Sequence, residues 1–444
     1  MLVAKFGGTS MKDNEAISRS IEISRSHKAG VVVVSATSGT TNLLLKITDF
    51  CREGNWPEAS KLVNQIVVKH KEIAMTYHLT ETEYLDSLYS ELTTLAKGMS
   101  RLKEVSNKTL DRFQSIGERL SSYIMAHAWN SKYPQAKVEF LDARSIIKTN
   151  KCFGKAVPNI ELIKLNCDKL DKSRIYVTQG FIGSSQNGDT TTLGRGGSDY
   201  SAALFAEGLD AETLQIWTDV AGIATTDPRI CPKAMPIREI TFKEAGELAT
   251  FGAKILHPTT LQPATRKGIS VFVGSSYSPN EEGTWIRKSC DDQPLIRAMA
   301  LKTEQALLTL STPKMFDTHG FLARVFDIFD KHEVSVDAIT TSEISVAVTV
   351  EQSVLSNREF INDLETYGQL NIEEKLALVS LIGNNINHTP GLAMNIFSGL
   401  HNDASPINVR MICLGASKHN FCMVIDENHA KEAIKRLHRK FIEL

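Results

Sequence analysis

The chain has 444 residues, of which 42% are hydrophobic and 23% charged. This is the composition of a globular protein of several domains with a sizeable core. Its 50 basic and 51 acidic residues leave a net charge of -1, so nothing in the balance suggests a nucleic-acid partner, and no apolar run is long enough for a membrane span. The start, Met1 to Gly8, is too short in its apolar part and is interrupted by Lys5, so it does not read as a secretion signal. Seven cysteines without a CxxC pair read as reduced thiols in a cytoplasmic protein, with no spacing that argues for structural zinc.

Taken in order, Leu2 to Phe6 reads as a strand and Gly7-Gly8-Thr9-Ser10 as the loop after it. A helix is expected from about Asp13, with Ile17 and Ile21 on one face and Gly30 beyond its end. Val31 to Val34 is uniformly apolar, as in a parallel sheet covered on both faces. Ser35 to Asn42 is a second loop of small residues, and Leu43 to Leu45 opens another helix. The stretch from about Glu53 to His127 is helical in pattern. Within it Phe113, Ile116, Leu120 and Ile124 line one side of a helix that also carries Glu118. Further strands are expected at Val138 to Leu141, Ile175 to Val177, Leu214 to Trp217 and Ser270 to Val273. Repeated strand, glycine or serine loop, and helix signal an α/β fold with ligand loops at the carboxyl ends of its strands.

The densest stretch is Thr190 to Tyr200, with Gly194, Arg195, Gly196, Gly197, Ser198 and Asp199 in succession. It reads as a glycine loop between the Ile175 strand and a helix, where backbone N–H groups can approach a phosphate. No lysine followed by serine or threonine completes a Walker pattern, and no GxGxxG with a later acidic residue supports a dinucleotide site. Phosphate charge would then be met by lysines from elsewhere, Lys5 and Lys254.

Beyond a polar stretch from Ser275 to Gln293 the style changes. Strands are expected at Ala306 to Leu310, Val334 to Ile339 and Ile344 to Val350, with a helix at Gly320 to Phe329. The order recurs with strands at Ala377 to Ile382, Ile407 to Ile412 and Phe421 to Ile425, and helices at Gly391 to Leu400 and Ala430 to Phe441. This is a repeated βαββαβ unit offset by roughly seventy residues.

Several of these motifs together resemble the aspartate kinase family. They are Lys5-Phe6-Gly7-Gly8-Thr9-Ser10, the Ser35 to Asn42 loop, Gln179-Gly180-Phe181, Thr192 to Tyr200, Trp217-Thr218-Asp219-Val220, and Phe251-Gly252-Ala253-Lys254 with His257-Pro258. The resemblance is to the monofunctional, lysine-inhibited class. It implies an amino-acid-kinase three-layer α/β sandwich with a largely parallel sheet over residues 1–285 and a linker at 286–298. Two ferredoxin-like ACT repeats would follow at 299–375 and 376–444, with interleaving of the two left open. No homoserine dehydrogenase domain is expected after the second repeat.

The implied reaction is phosphorylation of the side-chain carboxylate of L-aspartate by ATP, with Mg2+ entering as MgATP. This is the first step toward lysine, threonine, methionine and diaminopimelate. The attacking carboxylate is already ionised at neutral pH, so no general base is needed; the task is to bring two anions together. By resemblance, Lys5, Gly8, Asp199 and Lys254 are catalytic. Ser35, Thr41, Glu118, Arg195 and Ser198 hold aspartate, with Arg195 on its α-carboxylate and Glu118 on its α-amino group. Lys5, Phe6, Gly7, Gly8, Thr218, Asp219, Ala224, Arg229 and Lys254 hold ATP. No metal ligand is assignable.

The family usually places a tyrosine where this chain has Ala224, so weaker adenine contact and a higher Km for ATP are expected. Inhibitory lysine is implied at Met315, Thr318, Gly320, Phe321, Leu322, Val336, Asp337, Ser342 and Glu343, between ACT repeats of two subunits in a homodimer or homotetramer. Two alternatives stay open on the residues. One is a kinase for glutamate or acetylglutamate. The other is a non-catalytic amino-acid sensor with a vestigial kinase domain.

Overall fold

The computed structural model describes residues 1–79, 82–252, 258–401 and 405–443. It separates into two compact units. The first comprises Met1–Ile223, Ile237–Phe242 and Leu256–Ser289; the second comprises Ala224–Pro236, Lys243–Ile255 and Cys290–Leu444.

The first unit opens with β1 (Leu2–Phe6), α1 (Asn14–Ser26), β2 (Ala29–Val34), α2 (Thr40–Glu53), α3 (Trp56–Met75), α4 (Glu83–Leu102) and α5 (Asn107–Lys132). It continues through β3 (Val138–Leu141), α6 (Ala143–Ile146), β4 (Lys148–Thr149), α7 (Ile160–Cys167), β5 (Ile175–Gln179), β6 (Ile182–Ser185), β7 (Thr190–Thr192), α8 (Gly197–Gly208) and β8 (Thr213–Thr218). The chain then forms β9 (Glu239–Thr241), α9 (Phe242–Thr250), α10 (Pro258–Lys267), β10 (Ser270–Ser275) and β11 (Thr284–Arg287).

The main sheet has the order β3-β5-β2-β1-β8-β10-β11-β9. All its pairings are parallel except β10 with β11. The central strands β2 and β1 are apolar apart from Lys5, as suits strands covered by helices on both faces. Ala4, Phe6, Val32 and Val34 join one core with Ile17 of α1 and Ile116, Leu120 and Ile124 of α5. Strand alternation therefore turns Lys5 to the other face, where it meets α8.

Five strands of this unit were not expected from the sequence: β4, β6, β7, β9 and β11. β6 and β7 form an antiparallel pair in a separate sheet with β4, so a hairpin stands between the Ile175 strand and the glycine loop. β11 lies inside the polar stretch after Ser275 and pairs with β10.

In the second unit, β12 (Ala298–Ser311), α11 (Phe321–Lys331), β13 (Ala338–Thr341), β14 (Ser345–Glu351), α12 (Arg358–Glu365) and β15 (Gln369–Ile382) are followed by α13 (Leu392–Leu400), β16 (Val409–Leu414), β17 (Asn420–Asp426) and α14 (Glu427–Phe441). One six-stranded sheet runs β13-β14-β12-β15-β17-β16. β12 and β15 pair along nearly their whole length, with register shifts between Lys302 and Leu307. Their two ends face different cores. Ala306, Leu308 and Leu310 pack with α11 and α12, whereas Met299, Val379 and Leu381 pack with α13 and α14. The expected strand at Val334 to Ile339 is shorter, because only Ala338–Thr341 pairs.

Candidate active site

The carboxyl ends of β1, β2 and β5 and the start of α8 come together. The Lys5 ammonium lies 2.6 Å from a carboxylate oxygen of Asp199, in the first turn of α8. Lys5 is 8% exposed, so this ion pair is largely withdrawn from water. Phe6, the next residue, stacks on Trp217 on the opposite face, which leaves only its backbone toward the loops; its carbonyl accepts the Ser35 N–H.

A side chain would meet only ordinary contacts at Gly7, 3.6 Å from Lys5 Nζ, but would be crowded at Gly8. A Cβ on Gly8 would come to 3.1 Å from the Ala36 carbonyl oxygen, so the first glycine loop packs directly on the Ser35 to Asn42 loop. That second loop is held from α5. The Ser121 hydroxyl donates to the Ser35 carbonyl at 2.7 Å, and the Ala36 N–H donates to Glu118 Oε1 at 3.3 Å. Glu118 is buried, and loss of hydration pushes its carboxyl up to about 8. Among the described residues it has no ion-pair partner; the neighbouring Arg119 turns away to Glu91 at 2.9 Å. Thr41 is exposed in the first turn of α2.

The glycine loop closes the group. Gly194 and Gly196 both have positive φ, 78° and 72°, a backbone region that glycine enters without steric cost. Arg195 between them is exposed. Ser198 packs on Gly180 so closely that a Cβ there would fall 2.8 Å from its hydroxyl oxygen. Asp111, not singled out in the sequence, anchors the approach to this loop. Its carboxylate accepts the Thr192 N–H at 2.8 Å, the Thr192 hydroxyl at 2.8 Å and the Gly154 N–H at 3.0 Å. Asp111 and Glu118 are seven residues apart on α5, hence on one helix face, and that spacing was the available signal.

Thr218 ends β8, and its hydroxyl donates to the exposed Asp219 at 3.1 Å. Ala224 and Arg229 fall in the second unit. There the Arg229 guanidinium forks onto Asp227, at 2.6 Å for the closest pair. Lys254 lies outside the described residues.

A separate cavity of about 830 Å³ lies at the start of α11, and Met315, Thr318, Gly320 to Leu322, Ser342 and Glu343 line it. Of the expected regulatory residues, Val336 and Asp337 are not part of this lining. Val336 packs on the α11 and α12 core, and Asp337 pairs with Lys302 at 2.7 Å. No helix among the described residues is long and apolar enough to cross a membrane.

Residues 1–275 match the amino acid kinase family, and residues 379–441 match the ACT domain. The chain is 41% identical to lysine-sensitive aspartokinase 3 of Escherichia coli strain K12, over 100% of this chain and 99% of that protein. It is 32% identical to chloroplastic aspartokinase 1 of Arabidopsis thaliana, over 99% of this chain and 80% of that one. Among solved structures, E. coli aspartokinase III in complex with aspartate and ADP, in the R-state, matches with a TM-score of 0.88 and 40% identity over 99% of both chains. The same enzyme in complex with lysine and aspartate, in the T-state, matches with a TM-score of 0.82 and 39% identity, over 100% of this chain and 99% of that one.

Proposed function

The chain belongs to the amino acid kinase family and, within it, to the aspartokinases, and from that premise we propose how its residues divide the reaction. The protein transfers the terminal phosphoryl group of ATP to the side-chain carboxylate of L-aspartate, under feedback by lysine. A carboxylate oxygen attacks the terminal phosphorus, the bond to the bridging oxygen of ADP breaks, and 4-phospho-L-aspartate leaves with ADP.

Lys5 meets the charge of the transferring phosphoryl group, and Asp199 holds that lysine in place. Gly7, Gly8 and the Phe6 backbone lie along the phosphates. Glu118 takes the α-ammonium group of aspartate and Arg195 its α-carboxylate, with Ser35, Thr41 and Ser198 completing the pocket. Thr218, Asp219, Ala224, Arg229 and Lys254 are assigned to the nucleotide. The buried Lys5–Asp199 pair among three glycine-bearing loops carries this reading.

Asp199 is the one carboxylate among the described residues seen beside Lys5, and the only cluster of three metal-ligating groups found is Cys231, His438 and Glu443. The thiol and imidazole of that cluster do not suit magnesium, whereas the single Asp199 carboxylate suits a magnesium ion that arrives on the nucleotide phosphates. Inhibitory lysine fits the cavity at the start of α11, where Glu343 can meet an ammonium group and the α11 N-terminus a carboxylate. Assembly through the ACT repeats as a homodimer or homotetramer is supported by the exposed apolar residues Ile339, Ile412 and Leu414 on the edge strands β13 and β16.

The test offers MgATP with aspartate, glutamate or N-acetylglutamate and traps the acyl phosphate as a hydroxamate. Product is expected from aspartate alone, and Lys5→Ala or Asp199→Ala is expected to lower turnover by about a hundredfold or more while the circular dichroism stays native. Turnover retained in both variants would overturn the assignment.

A further inference from the structure

The loop from Ser35 to Asn42 is gripped from behind by α3 as well as from α5. His70 is fully buried. Its Nδ1 lies 2.7 Å from the Ile66 carbonyl oxygen, which can only accept, so Nδ1 carries the hydrogen. Burial holds the ring neutral, with its pKa lowered to about 4, and Nε2 is therefore an acceptor. It lies 3.2 Å from the Thr37 hydroxyl, which lies 2.7 Å from the Thr40 hydroxyl. One direction of hydrogen bonding satisfies all four groups: Thr40 donates to Thr37, Thr37 to His70, and His70 to Ile66.

One residue earlier on α3, the Lys69 ammonium donates to the Ser38 carbonyl at 2.6 Å. In a trans peptide the C=O and the following N–H point opposite ways, so Lys69 aims the Gly39 N–H away from α3. Gly39 is exposed with φ +80°, a left-handed turn that this arrangement holds. A leucine would fill the space of His70 at no desolvation cost, so the imidazole is there for its hydrogen bonds.

We propose that His70, with Lys69 beside it, is a positioning residue for aspartate, fixing the Thr37 to Thr40 turn so that Thr41 and the loop backbone meet the substrate. The inference rests on the reading that this loop and Glu118 hold aspartate. It is tested by His70→Leu, which removes both ring contacts, and by Thr37→Val, which removes one hydroxyl at nearly constant shape and carries the test if His70→Leu does not fold.

Each variant is expected to raise the Km for aspartate about tenfold, with the Km for ATP and kcat within about threefold of wild type. His70→Gln, which keeps an acceptor near Nε2, is expected to recover most of the loss. The double variant should be no worse than the worse single one, because both cut the same chain of bonds. An unchanged aspartate Km in both single variants, or equal rises for aspartate and ATP, would overturn the proposal. Glu118→Ala is the control. If it raises the aspartate Km while His70→Leu and Thr37→Val do not, the positioning role alone fails; if it too leaves the Km unchanged, the placement of aspartate fails.

Discussion

Glu118 is 4% exposed, accepts one backbone N–H, and is held mainly protonated below about pH 8 by burial. An aspartate α-ammonium group placed against it favours the carboxylate, so substrate binding should expel a proton. Affinity for aspartate is then expected to rise with pH up to about 8. Titration calorimetry in buffers of different ionisation enthalpy should show a buffer-dependent heat; identical heats would contradict the role. The sign for stability is the reverse of that for a salt-bridged acid. The folded-state pKa lies above the unfolded one, so between roughly pH 4.5 and 8 the ligand-free fold binds more protons and loses stability as pH rises. Glu118→Gln should flatten the dependence of Tm on pH in that window. Ala224→Tyr, which restores the ring usual in the family, is expected to lower the Km for ATP by severalfold, about 1 kcal/mol of contact. An unchanged ATP Km would show that adenine is held without that contact.

At the scale of elements, α8 depends on how it begins. Gly196 is its N-cap residue, at φ 72° and ψ 10°, and a Cβ there costs about 1–2 kcal/mol. Gly196→Ala is therefore expected to lower Tm and raise the aspartate Km through Arg195; unchanged Tm would mean the loop adapts. The elements legible in the sequence were those with an unambiguous hydrophobic signature. Val31 to Val34 read as a strand covered on both faces, and it is the buried β2, whereas Lys5 beside a diglycine was a weak signal alone and gained meaning only with the other glycine loops. The β6–β7 hairpin was missed because, apart from Ile182, its buried residues are Gly183, Ser184, Ser185 and Thr190 to Thr192, which read as loop when burial is unseen. Val334 to Val336 has strand composition but packs beneath α11 without a ladder partner, since only Ala338–Thr341 pairs with β14. His70 gave no periodic signal at all: one histidine inside a helix becomes informative only when the loop it supports is known.

For the molecule as a whole, the proposed lysine site puts regulation in the second unit. Glu343→Ala is expected to abolish lysine inhibition while leaving uninhibited turnover within about twofold, if Glu343 meets the effector's ammonium group at the cavity mouth. Assays across a lysine series, with sedimentation of the same samples, check this. Saturating lysine that altered neither wild-type turnover nor assembly size would remove the regulatory reading and leave the kinase untouched. In this unit β12 and β15 each run through both lobes of the sheet. The step in their register coincides with two non-glycine residues at positive φ, Glu304 at 57° and Lys375 at 56°. The lobe with the cavity and the lobe built on α13 and α14 are thus one mechanical piece, joined by a pair of stiff struts rather than by a tether. Among the described residues the only strands shared by the two lobes are therefore these two, and both bend at the same level of the sheet.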